Sequence, residues 1–131
     1  MSKAIEFLQS AGTFYVATCE GAQPRVRPFG AVTVHQGRVY FCTNNQKNVF
    51  AQLTANPLVE ICACQADGAW IRISGTAVVD PSDEARAAML AANPGLGRMY
   101  RLGDGLFEVF YLRDATACIY RFGAAPETFA L

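Results

Sequence analysis

Arg25 and Arg27 stand two residues apart in QPRVRPFG, residues 23–30, and Lys47 follows in TNNQKN, residues 43–48. A strand turns alternate side chains to opposite faces, so the two arginines project to one side. Lys47 falls in the first turn of an expected helix, where free N–H groups and the helix dipole favour an anion. A lysine there is mildly unfavourable by itself, by roughly 0.3–1 kcal/mol. A phosphate reverses that sign, since arginine offers forked hydrogen bonds and lysine a point charge. Thr43 and Asn44 add donors. The set suits recognition of one phosphate; alone, the same three cations also suit a solvated barrel face.

Other chemistries find little support. No nucleophilic triad is visible, and the single histidine, His35, sits in a turn. The five cysteines, Cys19, Cys42, Cys62, Cys64 and Cys118, are odd in number and scattered. They read as small buried thiols rather than a disulfide framework or a zinc site, and no metal is expected. GLGRMYRLGDG, residues 95–105, lacks the dinucleotide-binding glycine spacing, and there is no P-loop. Catalytic side chains are therefore not assigned.

The elements that must position these residues follow from the pattern along 131 residues, one domain's worth. Hydrophobic residues make up 52%, and 11 basic residues balance 11 acidic ones, so no basic field attracts nucleic acid. The first residues do not read as a signal peptide and no window is long enough for a membrane span, which gives a cytoplasmic expectation. Ser2 is expected to cap a helix that Gly12 ends. Strands are expected over residues 13–20, 25–34 and 38–43, forming a meander that sets the start of the second beside the end of the third. A helix capped by Asn44 or Asn45 then runs to Asn56-Pro57. Strands over 58–65 and 69–80 flank Asp67-Gly68, and Gly75 marks a bulge or bend. Ser82 caps a further helix ending at Asn93-Pro94. Two last strands join through Arg113-Asp114-Ala115, and the tail beyond Gly123 carries no clear element. About seven antiparallel strands with short helices make a mainly β fold, a small closed or split barrel. In AWIRISGTA, Trp70, Arg72 and Ser74 share the outward face of a strand while Ile71 and Ile73 face the core.

The order PRVRPF, YFCTNNQKN, LTANPLVEI, WIRISGTA resembles the pyridoxamine 5′-phosphate oxidase-like family of FMN-binding split barrels, from about residue 13 to 79. The resemblance implies a homodimer with FMN sites at the subunit interface. It implies that Arg25 and Lys47 hold the FMN phosphate, with Gln46 and Asn48 close by. Main-chain groups of Val26, Arg27 and Pro28 would run along the isoalloxazine ring, and Cys42, Thr43 and Asn44 would line the ring edge and ribityl chain. Trp70 stands where larger members often place a glutamine that reaches the flavin of the other subunit, so Trp70 and Arg72 would stack on or donate to the cofactor across the dimer. The C-terminal substrate motif of the vitamin B6 enzymes has no match in YRFGAAPETFAL. The implied activity is a flavin-dependent oxidoreductase acting on a small molecule. The alternatives are a non-catalytic FMN carrier or electron-transfer protein, and an F420- or haem-binding split barrel.

Overall fold

The structure is a computed structural model that describes residues 2–131. It contains α1 (Ser2–Ala11), β1 (Phe14–Glu20), β2 (Gln23–Phe29), β3 (Val32–His35), β4 (Arg38–Asn44), α2 (Asn48–Ala55), β5 (Leu58–Cys64), β6 (Trp70–Asp80), α3 (Asp83–Ala92), a 3-10 turn (Pro94–Arg98), β7 (Phe107–Tyr120) and β8 (Glu127–Ala130). The strands pair in the order β2-β1-β5-β6-β7-β4-β3, with β8 added to β7, and each pairing is antiparallel. The mainly β split barrel read from the sequence is borne out.

Alternation explains the core. Phe14, Val16, Ile61, Ile71, Ile73, Ala117 and Ile119 point inward from β1, β5, β6 and β7 and are almost fully buried. Phe14 and Phe110 each lie 5.6 Å from Phe41, centroid to centroid. Ala4, Ile5, Phe7 and Leu8 of α1, at helical spacing, pack into the same core. β4 is buried on both sides. Phe41 faces that core, whereas Tyr40 lies with Ala85 and Met89 of α3.

The expected strand over 25–34 is two strands. β2 pairs with β1, and β3 pairs with β4, so the chain leaves one end of the sheet at Gly30 and enters the other at Val32. The expected meander is therefore two hairpins, and the split of the barrel lies between them. The expected last two strands are one, β7, which runs through Asp114. Asp114 takes a left-handed φ of 53° at a register shift opposite Gly75. The bulge expected at Gly75 is present, and a Cβ there would meet the Ala115 Cβ at 3.1 Å. The tail supplies an eighth strand, because the outer edge of β7 beyond its bulge offers Thr116–Ile119 as a ladder for β8. The cap expected at Ser2 concerns a side chain outside those described. Ser82 does cap α3, accepting from the Ala85 N–H at 3.2 Å.

Candidate functional site

Arg25 and Arg27 pair in register with Thr18 and Val16, whose side chains are buried, so both arginines face the inner side of β2. At the split no neighbouring strand covers that side. Arg27 turns inward and donates to the Val16 carbonyl at 3.1 Å, to Thr18 Oγ1 at 2.7 Å and to Gln52 Oε1. The Thr18 hydroxyl also donates to Gln52 Oε1, at 2.6 Å. Burial, and then the charge of Arg25, lowers the Arg27 pKa, though a guanidinium stays charged. Arg25 is exposed and grips one oxygen of Glu20 through Nε at 3.2 Å and Nη2 at 2.9 Å. Those bonds and the Arg25 charge hold the Glu20 carboxyl below its usual range.

Across the split lies α2. It starts at Asn48 rather than near Asn45, so Lys47 is its cap residue and not a first-turn residue, and no side chain caps it. The asparagines expected to cap are engaged elsewhere. Asn44 Oδ1 accepts from the Gln46 N–H at 3.0 Å and Asn44 Nδ2 donates to the Tyr100 hydroxyl at 2.8 Å. Asn45 Nδ2 donates to the Gly105 carbonyl at 2.7 Å. The first N–H groups of α2, at Asn48 and Val49, are left without a side-chain cap.

Two connected hollows occupy the split. A groove of about 370 Å3 is lined by Glu20, Arg25, Val26, Arg27, Lys47, Asn48, Val49 and Gln52. A cleft of about 540 Å3 continues past Arg27, Lys47 and Val49 to Pro28, Cys42 and Thr43, and then to Leu96, Met99 and Tyr100. One end is cationic and the other nearly neutral. The 95–105 segment walls the neutral end and is anchored there: Tyr100 packs on Phe107 at 4.9 Å, and Asp104 accepts from the Leu106 N–H at 2.8 Å and the Phe107 N–H at 3.0 Å. Thr43 is 5% exposed, and its buried hydroxyl has no partner.

The expected site residues divide accordingly. Arg25, Val26, Arg27, Pro28, Cys42, Thr43, Lys47 and Asn48 line the two hollows. They come together across the split, not through the hairpin pairing expected between the second and third strands. Asn44 and Gln46 line neither hollow; they shape the turn before α2. Trp70 and Arg72 lie on the outer face of the sheet. Trp70 stacks on Tyr120 at 4.2 Å, and the Arg72 guanidinium sits 5.0 Å from the Trp70 ring. Gln52 was not anticipated, although a lone amide in the buried stripe of Val49, Gln52 and Leu53 was a readable signal. His35 packs edge-on against Tyr40, whose hydroxyl donates to Asp80 at 2.6 Å, away from the split. Among the described residues no three metal-ligating side chains converge, and no helix is long and apolar enough to cross a membrane.

Burial pushes the Cys42 thiol up to about 12, against a smaller opposing pull from Lys47. Its thiolate fraction at pH 8 is then on the order of 10⁻⁴. Iodoacetamide at pH 8 is expected to label the exposed Cys64 and spare Cys42 in the native protein, read by peptide mass mapping. Equal labelling of both would refute the burial argument.

Residues 2–108 match the pyridoxamine 5′-phosphate oxidase family. The chain belongs to that family. A NimC/NimA family protein from Clostridium acetobutylicum is 44% identical, with a TM-score of 0.98 over 100% of this chain and 92% of its own. General stress protein 26 from Bacillus anthracis shares the fold at 20% identity and a TM-score of 0.76, over 99% of this chain and 97% of its own. A haem-binding protein from Mycobacterium smegmatis does so at 18% identity and 0.76, with 95% and 55% covered. No curated protein matches the chain. The family thus spans the split of the barrel and every residue of the two hollows.

Proposed function

We propose that the chain is an FMN-binding oxidoreductase acting on a small molecule. The observation that carries this reading is the joining of a groove with three cations to a cleft that shares Arg27 and Lys47 with it and has no charged residue at its far end. That shape and charge suit a flat ring system ending in one phosphate. Three features fit the cofactor. Lys47 and Arg25 flank the uncapped start of α2, where a phosphate would be held by charge and N–H groups together. Thr43 lines the cleft, and its unpartnered hydroxyl would gain a partner by turning toward a ring carbonyl or ring nitrogen bound there. Val26 and Arg27 border the groove, and Arg27 and Pro28 the cleft, as a strand edge with no ladder on that side. FMN would supply the electron or hydride chemistry.

The protein's share is binding and exclusion of water. Cys42 remains a neutral thiol and so offers no base. Leu96, Met99 and Tyr100 line the neutral end, and the cations of the cleft, Arg27 and Lys47, are those it shares with the groove. A substrate with its own phosphate finds no second anion site there, so the vitamin B6 reaction is not the favoured one. Haem is disfavoured too, since His35, the one imidazole, packs on Tyr40 away from the cleft.

A homodimer accompanies this reading. Tyr15, Val26 and Leu58 are large apolar side chains exposed on the outer face of the sheet. Pairing over that face would bury them and carry the partner's Trp70 and Arg72 toward the flavin. The test is an absorption spectrum of purified protein, with mass identification of what heat releases, then FMN titration followed by Trp70 emission. Flavin bands, released FMN and quenching on rebinding are the expected results. A colourless protein that refuses added FMN would end the proposal, and binding without turnover of any electron donor would leave an electron carrier instead.

A further inference from the structure

We infer that Glu20 sets the length of phosphate this cleft accepts, admitting a terminal monophosphate and rejecting a diphosphate or a longer anionic tail. The inference rests on the reading of the cleft as an FMN site. Glu20 stands at a junction. It lines the cationic groove together with Asn48 and Gln52, and the same three residues line a further hollow of about 360 Å3. The hollows therefore run in a row, with the neutral cleft at one end and Glu20 guarding the other. Past Glu20 the walls are Cys19, Gly21, Ala51, Ala55 and Asn56, with no cation among them.

The charges in the groove follow a simple logic. Arg25, Arg27 and Lys47 face one carboxylate, a net of two positive charges. A phosphate monoester carries about −1.5 to −2 near pH 7, so it is matched. A diphosphate would push its second phosphate beyond Lys47, into a hollow that has Glu20 at its mouth and nothing positive behind it. Glu20 is held in that place by its two bonds from Arg25, and the Gln52 amide nitrogen is 3.5 Å from its other oxygen. Like charges brought together near a protein surface repel by more than tenfold in affinity at low salt, and salt weakens the effect.

The experiment compares the native chain with Glu20→Gln, titrating each with FMN and with FAD at low and high salt. The native chain is expected to prefer FMN by at least about tenfold at low salt. Glu20→Gln is expected to tighten FAD more than FMN, narrowing the preference about tenfold, and Glu20→Lys to narrow it further. High salt should narrow the native preference as well. An FMN-to-FAD ratio that Glu20→Gln leaves within about twofold, in a chain that melts like the native one, overturns the inference while the FMN reading stands. A native chain that binds neither flavin overturns the FMN reading. Inorganic phosphate and pyrophosphate, followed by NMR shifts of the Asn48 and Val49 amides, then test Glu20 separately. A preference for phosphate that Glu20→Gln erases supports the length rule, and an unchanged preference refutes it.

Discussion

Lys47→Glu is expected to weaken FMN binding by at least about hundredfold, close to 3 kcal/mol, while the barrel stays folded. Lys47 is exposed, caps α2 through its backbone alone, and has its charge beside the first N–H groups of the helix. A cation there opposes the helix dipole, whereas a carboxylate at the same place favours it by about 0.3–1 kcal/mol. Glutamate should therefore leave thermal stability unchanged or slightly raised. Its effect on an anion is the reverse. The groove would hold two cations against two carboxylates and lose its net positive charge. At surface dielectric one unit charge at contact is worth about 4 kcal/mol before screening, so hundredfold for a reversal is a discounted figure. Lys47→Gln, which removes the charge without reversing it, should cost about tenfold. Flavin content after purification and the melting temperature are the two measurements. A Lys47→Glu chain that melts normally and keeps its full flavin would show that the phosphate lies elsewhere.

Where sequence reasoning reached the site, it did so through local geometry. The two-residue period of a strand set Arg25 and Arg27 on one face, and the register with Val16 and Thr18 bears that out. The same period separated Trp70 and Arg72 from the buried Ile71 and Ile73. Non-local partners were out of reach. Phe29 to Val34 keeps an apolar rhythm across Gly30, so nothing local reveals that β2 and β3 belong to opposite ends of the sheet. Asp114 does adopt the left-handed conformation typical of a turn, yet β6 pairs with β7 on both sides of it and carries the strand through. The stacking partner of Trp70 is Tyr120, on the next strand of the sheet, visible only once β6 and β7 are in register. Asn44 and Asn45 have the chemistry of caps, but the hydroxyl of Tyr100 and the carbonyl of Gly105 hold their side chains. The residue most informative in retrospect is Gln52, whose polarity breaks the apolar stripe of α2 for a reason located on β1 and β2.

That reason yields the second large effect. Gln52 Oε1 accepts from both the Thr18 hydroxyl and the Arg27 guanidinium, and Gln52 is 7% exposed. Gln52→Leu keeps the volume roughly constant and removes the acceptor. Thr18, 2% exposed, and one nitrogen of Arg27 then lose their shared partner. Hydrogen bonds to charged groups contribute about 1.5–3 kcal/mol, and a buried donor left without a partner adds its desolvation penalty. A loss of about 2–4 kcal/mol in urea unfolding is expected. Burial of the glutamine methylenes cannot explain such a loss, because leucine buries at least as much apolar surface. A triple change, Thr18→Val with Arg27→Met and Gln52→Leu, should be more stable than Gln52→Leu alone, since no polar group then remains stranded. It should still bind FMN poorly, because the groove has lost a cation. This separates the two roles of Arg27, which braces β2 against α2 through Gln52 and adds positive charge to the groove. A Gln52→Leu chain within about 0.5 kcal/mol of the native one would mean that Thr18 and Val16 alone satisfy Arg27. The amide would then be a passive neighbour of the site.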